Sequence, residues 1–194
     1  MSSFDTRRER IQEASRARML ALAAACGDRV VRVYEEFWVG SHTPRVSESI
    51  DLAWAAACDS ESPPADALAD SIEEVADFVA YYHEEGIGML ASVVTTSLRI
   101  LQCIASENDE DAAIAACRAC GSSLYVAIIA DSCIHGRRPD RPRPGDAESE
   151  ERSWQEAAIE RIREPGAASR GMFDDLGPTP PVWWTRYQTA PFHL

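Results

Sequence analysis

The chain has 194 residues, of which 45% are hydrophobic, and its formal net charge is −13. This length and apolar content allow one buried core without support from disulfides or metals. All 19 basic residues are Arg, so the sequence excludes any site that depends on a lysine, such as a Schiff base or a phosphate-binding loop lysine.

The net negative charge is concentrated in the first 135 residues. Residues 1–135 contain 22 Asp and Glu against 10 Arg, and no basic residue lies between Arg45 and Arg99. Such a balance is opposite to that of a nucleic-acid-binding surface and disfavours anionic membranes, so we expect neither as a partner. No uncharged apolar run approaches the roughly 18 residues of a membrane span, and the charged N-terminus lacks a signal-peptide core. We therefore expect a cytoplasmic protein.

Apolar residues recur at helical spacing almost throughout the chain. This pattern predicts an all-α fold, a single-domain antiparallel bundle of about six to seven helices with an irregular C-terminal extension. Gly27 is the expected stop of the first helix, Asp28 the cap of the second, and Asn108 or Asp109 the cap of the sixth. The predicted helices cover Asp5 to Cys26, Asp28 to Trp38, Val46 to Ala57, Ala65 to His83, Met89 to Ser106, Glu110 to Ile134 and Glu150 to Arg163.

Changes of composition divide the chain into four parts. Residues 1–135 form the predicted bundle core, 136–149 an Arg/Pro-rich linker, 150–164 an additional helix on the bundle, and 165–194 an irregular aromatic and Pro-rich tail. Trp38, Trp54 and Trp154 lie on apolar faces and are predicted core residues. The Trp183-Trp184 pair of the tail either docks on the bundle, which we expect, or serves as a binding epitope.

Four stretches resemble a known family: LALAAACGDRVVRVYEEFW (20–38), SIDLAW (49–54), NDEDAAIAACRACGSSLYVAI (108–128) and the segment 150–163 around Trp154. They are similar to the first helix pair, a leucine-and-tryptophan helix, an acid-capped helix and a late tryptophan helix of the YjaG-like family of bacterial proteins of unknown function. The resemblance implies a compact all-helical domain and no established activity, so it carries over no catalytic residue. The tail after Pro165 departs from the family pattern.

Cysteine and histidine patterns give no recognisable catalytic machinery. The six Cys fall within helical apolar patterns, which indicates small core residues in a reducing compartment. Cys117 and Cys120 have CxxC spacing, but they lie within a helix without a preceding strand, so we expect neither a redox site nor a metal. The four His fit no metal-ligand pattern, and no cofactor is implied. His83-Glu84-Glu85 is the most enzyme-like cluster, although a helix end explains it better.

The fourth predicted helix has one apolar and one acidic stripe. Like charges three and four residues apart disfavour a helix by about 0.2–0.5 kcal/mol per pair, and this helix contains no Arg to offset them. A solvated surface explains the stripe, but so does a binding site for a basic protein, most concretely a toxin domain neutralised by an immunity or antitoxin-type protein. The predicted partner-binding residues are Asp66, Asp70, Glu73, Glu74, Asp77, Glu84 and Glu85. The alternative is an enzyme that uses carboxylates such as Glu84, Glu85 and Asp131 between helices.

Overall fold

The computed structural model describes residues 3–37, 46–58, 63–85, 87–135 and 145–189. All regular structure in these ranges is helical, which confirms the predicted all-α fold. The described residues form eight α-helices and one 3-10 helix, more than the six to seven helices predicted. In chain order they are α1 (Ser3–Gln12), α2 (Arg16–Phe37), α3 (Val46–Cys58), α4 (Ala65–Glu84), α5 (Gly88–Ala105), α6 (Asp109–Ile134), α7 (Asp146–Arg163), the 3-10 helix (Arg170–Leu176) and α8 (Val182–Gln188).

The middle helices begin and end close to their predicted positions. The ends of α4, α5 and α6 each lie within one residue of the prediction. Asn108 caps α6 as predicted, since its side-chain oxygen accepts a hydrogen bond from the backbone N–H of Asp111 at 2.9 Å. α7 begins at Asp146 rather than at the predicted Glu150, and residues 136–144 of the predicted linker lie outside the described residues.

The N-terminal helices differ from the prediction. The chain breaks between Gln12 and Arg16, and α2 then continues through Gly27. Gly27 is therefore not a helix stop. A Cβ atom on Gly27 would lie 2.7 Å from Ile50 Cγ1 and 2.7 Å from Ile100 Cδ1, so the glycine allows α3 and α5 to pack closely against α2.

The core is built around α2, α5 and α6, which all contact one another. α3 packs on α2 and α5, while α1 and α7 pack on α6. Trp54 of α3 is 4% exposed, and its indole N–H donates to Asp28 Oδ2 at 2.8 Å. Asp28 is thus an interior residue of α2 and not the predicted cap. Trp154 is also buried, as predicted, whereas Trp38 lies outside the described residues.

Two arginines in the first turn of α2 cap the C-termini of two other helices. The Arg16 guanidinium donates to the Ile104 carbonyl of α5 at 3.2 Å. The buried Arg18 donates to the Arg161 carbonyl of α7 at 2.6 Å. The last carbonyls of a helix lack partners within the helix and carry partial negative charge, so these bonds stabilise both C-termini.

The C-terminal segment is more regular than predicted. The 3-10 helix and α8 both fall in the tail that we expected to be irregular, whose residues 190–194 lie outside the described part of the chain. Trp183 and Trp184 are 0% and 3% exposed, which confirms that this pair docks on the bundle. α8 contacts α6 and α7.

The 3-10 helix is anchored by an aromatic cluster. The Phe173 ring lies between Trp54 and Trp154, at centroid distances of 6.5 Å and 5.9 Å. Tilted aromatic pairs at these distances add to the stabilisation from buried area. The tail therefore packs against side chains from α3 and α7.

Two helices, α5 and α6, are long and apolar enough to cross a membrane by length and composition. Of their most apolar stretches, 72% and 67% of the residues are buried inside the fold. Central helices of soluble bundles have the same character, because they are apolar on most sides. Their length and composition alone do not show that they span a membrane. The cytoplasmic location stays a prediction.

Candidate functional site

The residues predicted to bind a partner lie on α4 and directly after its end. All seven are exposed. Glu74 has an interaction within the fold. Within the described ranges, no ion pair with an Arg or His involves any of the other six. These residues, which we call the acidic surface, are Asp66, Asp70, Glu73, Glu74, Asp77, Glu84 and Glu85.

The opposite face of α4 packs on α5, the helix with which α4 makes its extensive contacts. Its buried side chains are Leu68, Ser71, Val75 and Tyr82. The exposed face between the acids carries small side chains, namely Ala67, Ala69, Ala76 and Ala80. α4 is consequently an outer helix whose free face is negative and low in relief.

The His83-Glu84-Glu85 cluster forms the C-terminal end of α4. The backbone N–H of Glu85 donates to the Tyr81 carbonyl at 3.0 Å, which completes the last turn. His83, Glu84 and Glu85 are all exposed, an arrangement that fits a helix end.

Asp131, the third carboxylate of the enzymatic alternative, lies in a different environment. It is 1% exposed, and its Oδ1 accepts a hydrogen bond from the Ala147 backbone N–H at 3.2 Å. A carboxylate in this position stabilises the positive N-terminal end of α7. Asp131 therefore has a structural role that the exposed Glu84 and Glu85 do not share.

Cys117 and Cys120 are both buried in α6. The Cys26 thiol donates a weak hydrogen bond to the Cys120 sulfur at 3.6 Å, and the two cysteines form no disulfide. Burial raises the pKa of Cys117 to about 11 and that of Cys103 to about 12, so these thiols stay protonated at neutral pH. Among the described residues, no group of three or more His, Cys, Asp or Glu side chains is placed to hold a metal ion.

A surface cavity of about 670 Å³ lies among α1, α5, α6 and α7, next to the end of α4. Its lining is basic, although the chain as a whole has a net charge of −13. None of the described residues that line it is Asp or Glu. Its basic residues, which define what we call the arginine cavity, are Arg7, Arg99, Arg118, Arg152 and His83.

Comparison with known proteins adds no site to these. No family model, curated protein or solved structure matches this chain. The resemblance to the YjaG-like family therefore stays a prediction.

A buried ion pair was not anticipated from the sequence. Arg29 Nε lies 2.9 Å from Glu151 Oε2, and the two side chains are 2% and 0% exposed. Gln155 donates to Glu151 Oε1 at 3.3 Å and to Ser123 Oγ at 3.0 Å, while the Trp183 indole N–H donates to Glu151 Oε2 at 3.4 Å. Since each group has a partner and none faces solvent, this network joins α2, α6, α7 and α8 as a structural element.

The arginine cavity was also missed, because its four arginines come from four helices that are distant in the sequence. A signal for the buried network did exist: Glu151 occupies the apolar face of α7 that carries Ala147, Trp154 and Ala158. A carboxylate at such a position requires a buried partner.

Proposed function

We propose that this protein is a non-enzymatic binding protein whose acidic surface contacts a positively charged protein partner. The most concrete form of the proposal is an immunity or antitoxin-type protein that neutralises a basic toxin domain. The observation that carries it is the exposed negative charge of α4, where Asp66, Asp70, Glu73 and Asp77 have no ion-pair partner among the described residues.

The charge arrangement supports this proposal because it opposes helix stability. Asp66 and Asp70, Asp70 and Glu73, and Glu73 and Asp77 are neighbours on the helix surface, and each such like-charge pair costs about 0.2–0.5 kcal/mol. No Arg among the described residues offsets these charges through an ion pair. A cationic partner would remove the repulsion on binding.

The form of the surface supports a protein as the partner. The alanines between the acids leave the backbone of α4 accessible to a close approach. The exposed Tyr81, 51% accessible at the end of the helix, offers an aromatic contact of the kind enriched at protein interfaces. Surface carboxylates raise the association rate with a cationic protein through long-range attraction.

The proposal is tested with a partner captured from the native host, starting with the product of the adjacent gene. Glu73 and Asp77 are both changed to Arg, and the association rate is measured at several salt concentrations. We expect the double reversal to associate far more slowly than the wild type. Wild-type association should also weaken as salt rises above ~0.15 M, because screening shortens the range of the attraction.

The matched control reverses two exposed acids elsewhere, Glu9 and Glu107. This variant has the same net charge as the α4 variant. A difference between their association rates therefore reports where the charges lie and not the net charge of the protein. Equal association rates for the wild type and the α4 reversal would overturn the proposal. Equal slowing by the two reversals would reduce the effect to net charge alone and would also overturn it.

A further inference from the structure

Two of the four arginines in the arginine cavity form no ion pair with a carboxylate of the described residues. Arg7 and Arg152 each form an ion pair with a glutamate of α7. Arg99 donates to the neutral amide oxygen of Gln102 at 2.6 Å. Within the described residues, neither Arg99 nor Arg118 forms an ion pair with a carboxylate. Two guanidinium groups thus line the cavity without an ion-pair partner in the part of the chain that the structure describes.

These two guanidinium groups also repel each other. The pKa of Arg99 is lowered mainly by burial and further by the positive charge of Arg118. Both burial and the charge of Arg118 disfavour the charged form of Arg99. An anion bound between the two guanidinium groups would offset their mutual repulsion. The lowering of this pKa agrees with the geometry, in which α5 and α6 direct one Arg each to the same cavity.

The remaining walls provide apolar and aromatic surface. Phe4 of α1 and Tyr125 of α6 are 41% and 46% exposed, and both line the cavity. On α6, a Cβ atom placed on Gly121 would meet no atom within 4 Å, so the cavity is open beside this lining residue. A volume of about 670 Å³ is typical of sites for small organic molecules.

We infer that the arginine cavity binds a small organic phosphate, with the phosphate group between Arg99 and Arg118 and a planar ring against Tyr125 and Phe4. Two uncompensated guanidinium groups match the charge of a phosphate monoester dianion, and each can donate two parallel N–H bonds to its oxygens. The aromatic walls favour a ligand with a ring over inorganic phosphate alone. This site is separate from the acidic surface and does not depend on its function.

The test is calorimetric titration of the full chain with three probes at constant ionic strength: phenyl phosphate, inorganic phosphate and phenol. We expect saturable binding of phenyl phosphate, weaker binding of inorganic phosphate and no detectable binding of phenol. Inorganic phosphate that binds as tightly as phenyl phosphate would overturn the role of the ring. Absence of phenyl phosphate binding at millimolar concentration would overturn the inference as a whole.

Substitutions locate the binding site. Arg99→Gln and Arg118→Gln should each weaken phenyl phosphate binding by about tenfold or more, because a charged hydrogen bond contributes at least ~1.4 kcal/mol, the equivalent of that factor. The matched control is Arg32→Gln, which removes the same charge from an exposed Arg outside the cavity. Equal weakening by Arg32→Gln would show that phosphate responds only to net charge, which contradicts the inference.

A steric variant tests the same site while both arginines are retained. Gly121→Phe introduces a ring at a lining position where an added Cβ atom meets no atom within 4 Å. We expect an unchanged circular dichroism spectrum and loss of phenyl phosphate binding. Binding with wild-type affinity in folded Gly121→Phe would place the phosphate elsewhere and overturn the inference.

Discussion

Gly27 and Gly121 offer a direct measurement of the close packing between α2 and its neighbours. Both are interior residues of long helices, α2 and α6. A Cβ atom on Gly27 would lie 2.7 Å from side-chain atoms of Ile50 and Ile100, whereas one on Gly121 would meet nothing within 4 Å. The same substitution, Gly to Ala, therefore tests helix propensity alone at one position and propensity plus packing at the other.

The expected magnitudes follow from these distances. Alanine favours a helix over glycine by about 1 kcal/mol, so Gly121→Ala should stabilise the protein by about 0.5–1 kcal/mol. Gly27→Ala gains the same stabilisation from helix propensity but forces Ile50 and Ile100 to move. Overpacking of this kind typically costs about 1–3 kcal/mol. The net effect at Gly27 should be a loss of about 0–2.5 kcal/mol, and the difference between the variants should equal the packing cost.

Urea unfolding followed by far-UV circular dichroism measures both variants. Midpoints shift in opposite directions at an unchanged m-value if the reasoning holds. Ile100→Val removes the Cδ1 atom that Gly27→Ala would meet, so the alanine should cost less in that background, with a coupling of at least ~0.5 kcal/mol. Equal stabilisation by alanine at both glycines would refute the close contact. So would a loss of stability on Gly27→Ala that is the same with and without Ile100→Val.

Three other substitutions test the core, the buried network and a surface ion pair. Trp54→Ala should destabilise the protein by roughly 3–5 kcal/mol, and a change below about 0.5 kcal/mol in urea unfolding would contradict its burial. Glu151→Ala leaves Arg29 buried without its counter-charge and should cost about 3–5 kcal/mol. The double variant Arg29→Met, Glu151→Leu should recover part of this loss, although Gln155 and Trp183 still lose their acceptor; no recovery would show that the loss does not come from the unpaired Arg29 charge. The Arg10 hydrogen bond lowers the pKa of Glu160 below its ordinary 4.5, so this bond stabilises the fold above about pH 4.5 and less as pH falls through the lowered value. Arg10→Gln should consequently shift the urea midpoint more at about pH 7 than at about pH 3, and an equal shift at both would contradict the assignment.

The sequence predicted the helices whose signals are local. α4 to α6 have clear apolar periodicity, and their ends carry Pro64, Gly88 and Asn108. Trp54 and Trp183 were correctly assigned to the interior because each lies among apolar residues. In these segments local preference and tertiary packing favour the same structure.

The sequence misled where packing overrode a local signal. Gly27 followed by Asp28 is a typical end of one helix and start of the next, yet both lie inside α2. The glycine is required by the approach of Ile50 and Ile100, and the aspartate by the indole of Trp54. None of these partners lies nearby in the sequence, so no local pattern could distinguish the two uses of these residues.

The acidic surface and the arginine cavity can be separated by experiment, although α4 borders both. His83 is the residue of α4 that lines the cavity, and the acids begin at Glu84 on one side and Asp77 on the other. Arg99→Gln should weaken phenyl phosphate binding by about tenfold or more. Because this change makes the protein more negative, association with a cationic protein should be unchanged or slightly faster. Reversal of Glu73 and Asp77 should slow that association while the cavity keeps its affinity for phenyl phosphate or gains slightly, because added positive charge attracts the anion. Variants that impaired both activities together would instead indicate one continuous site across the end of α4.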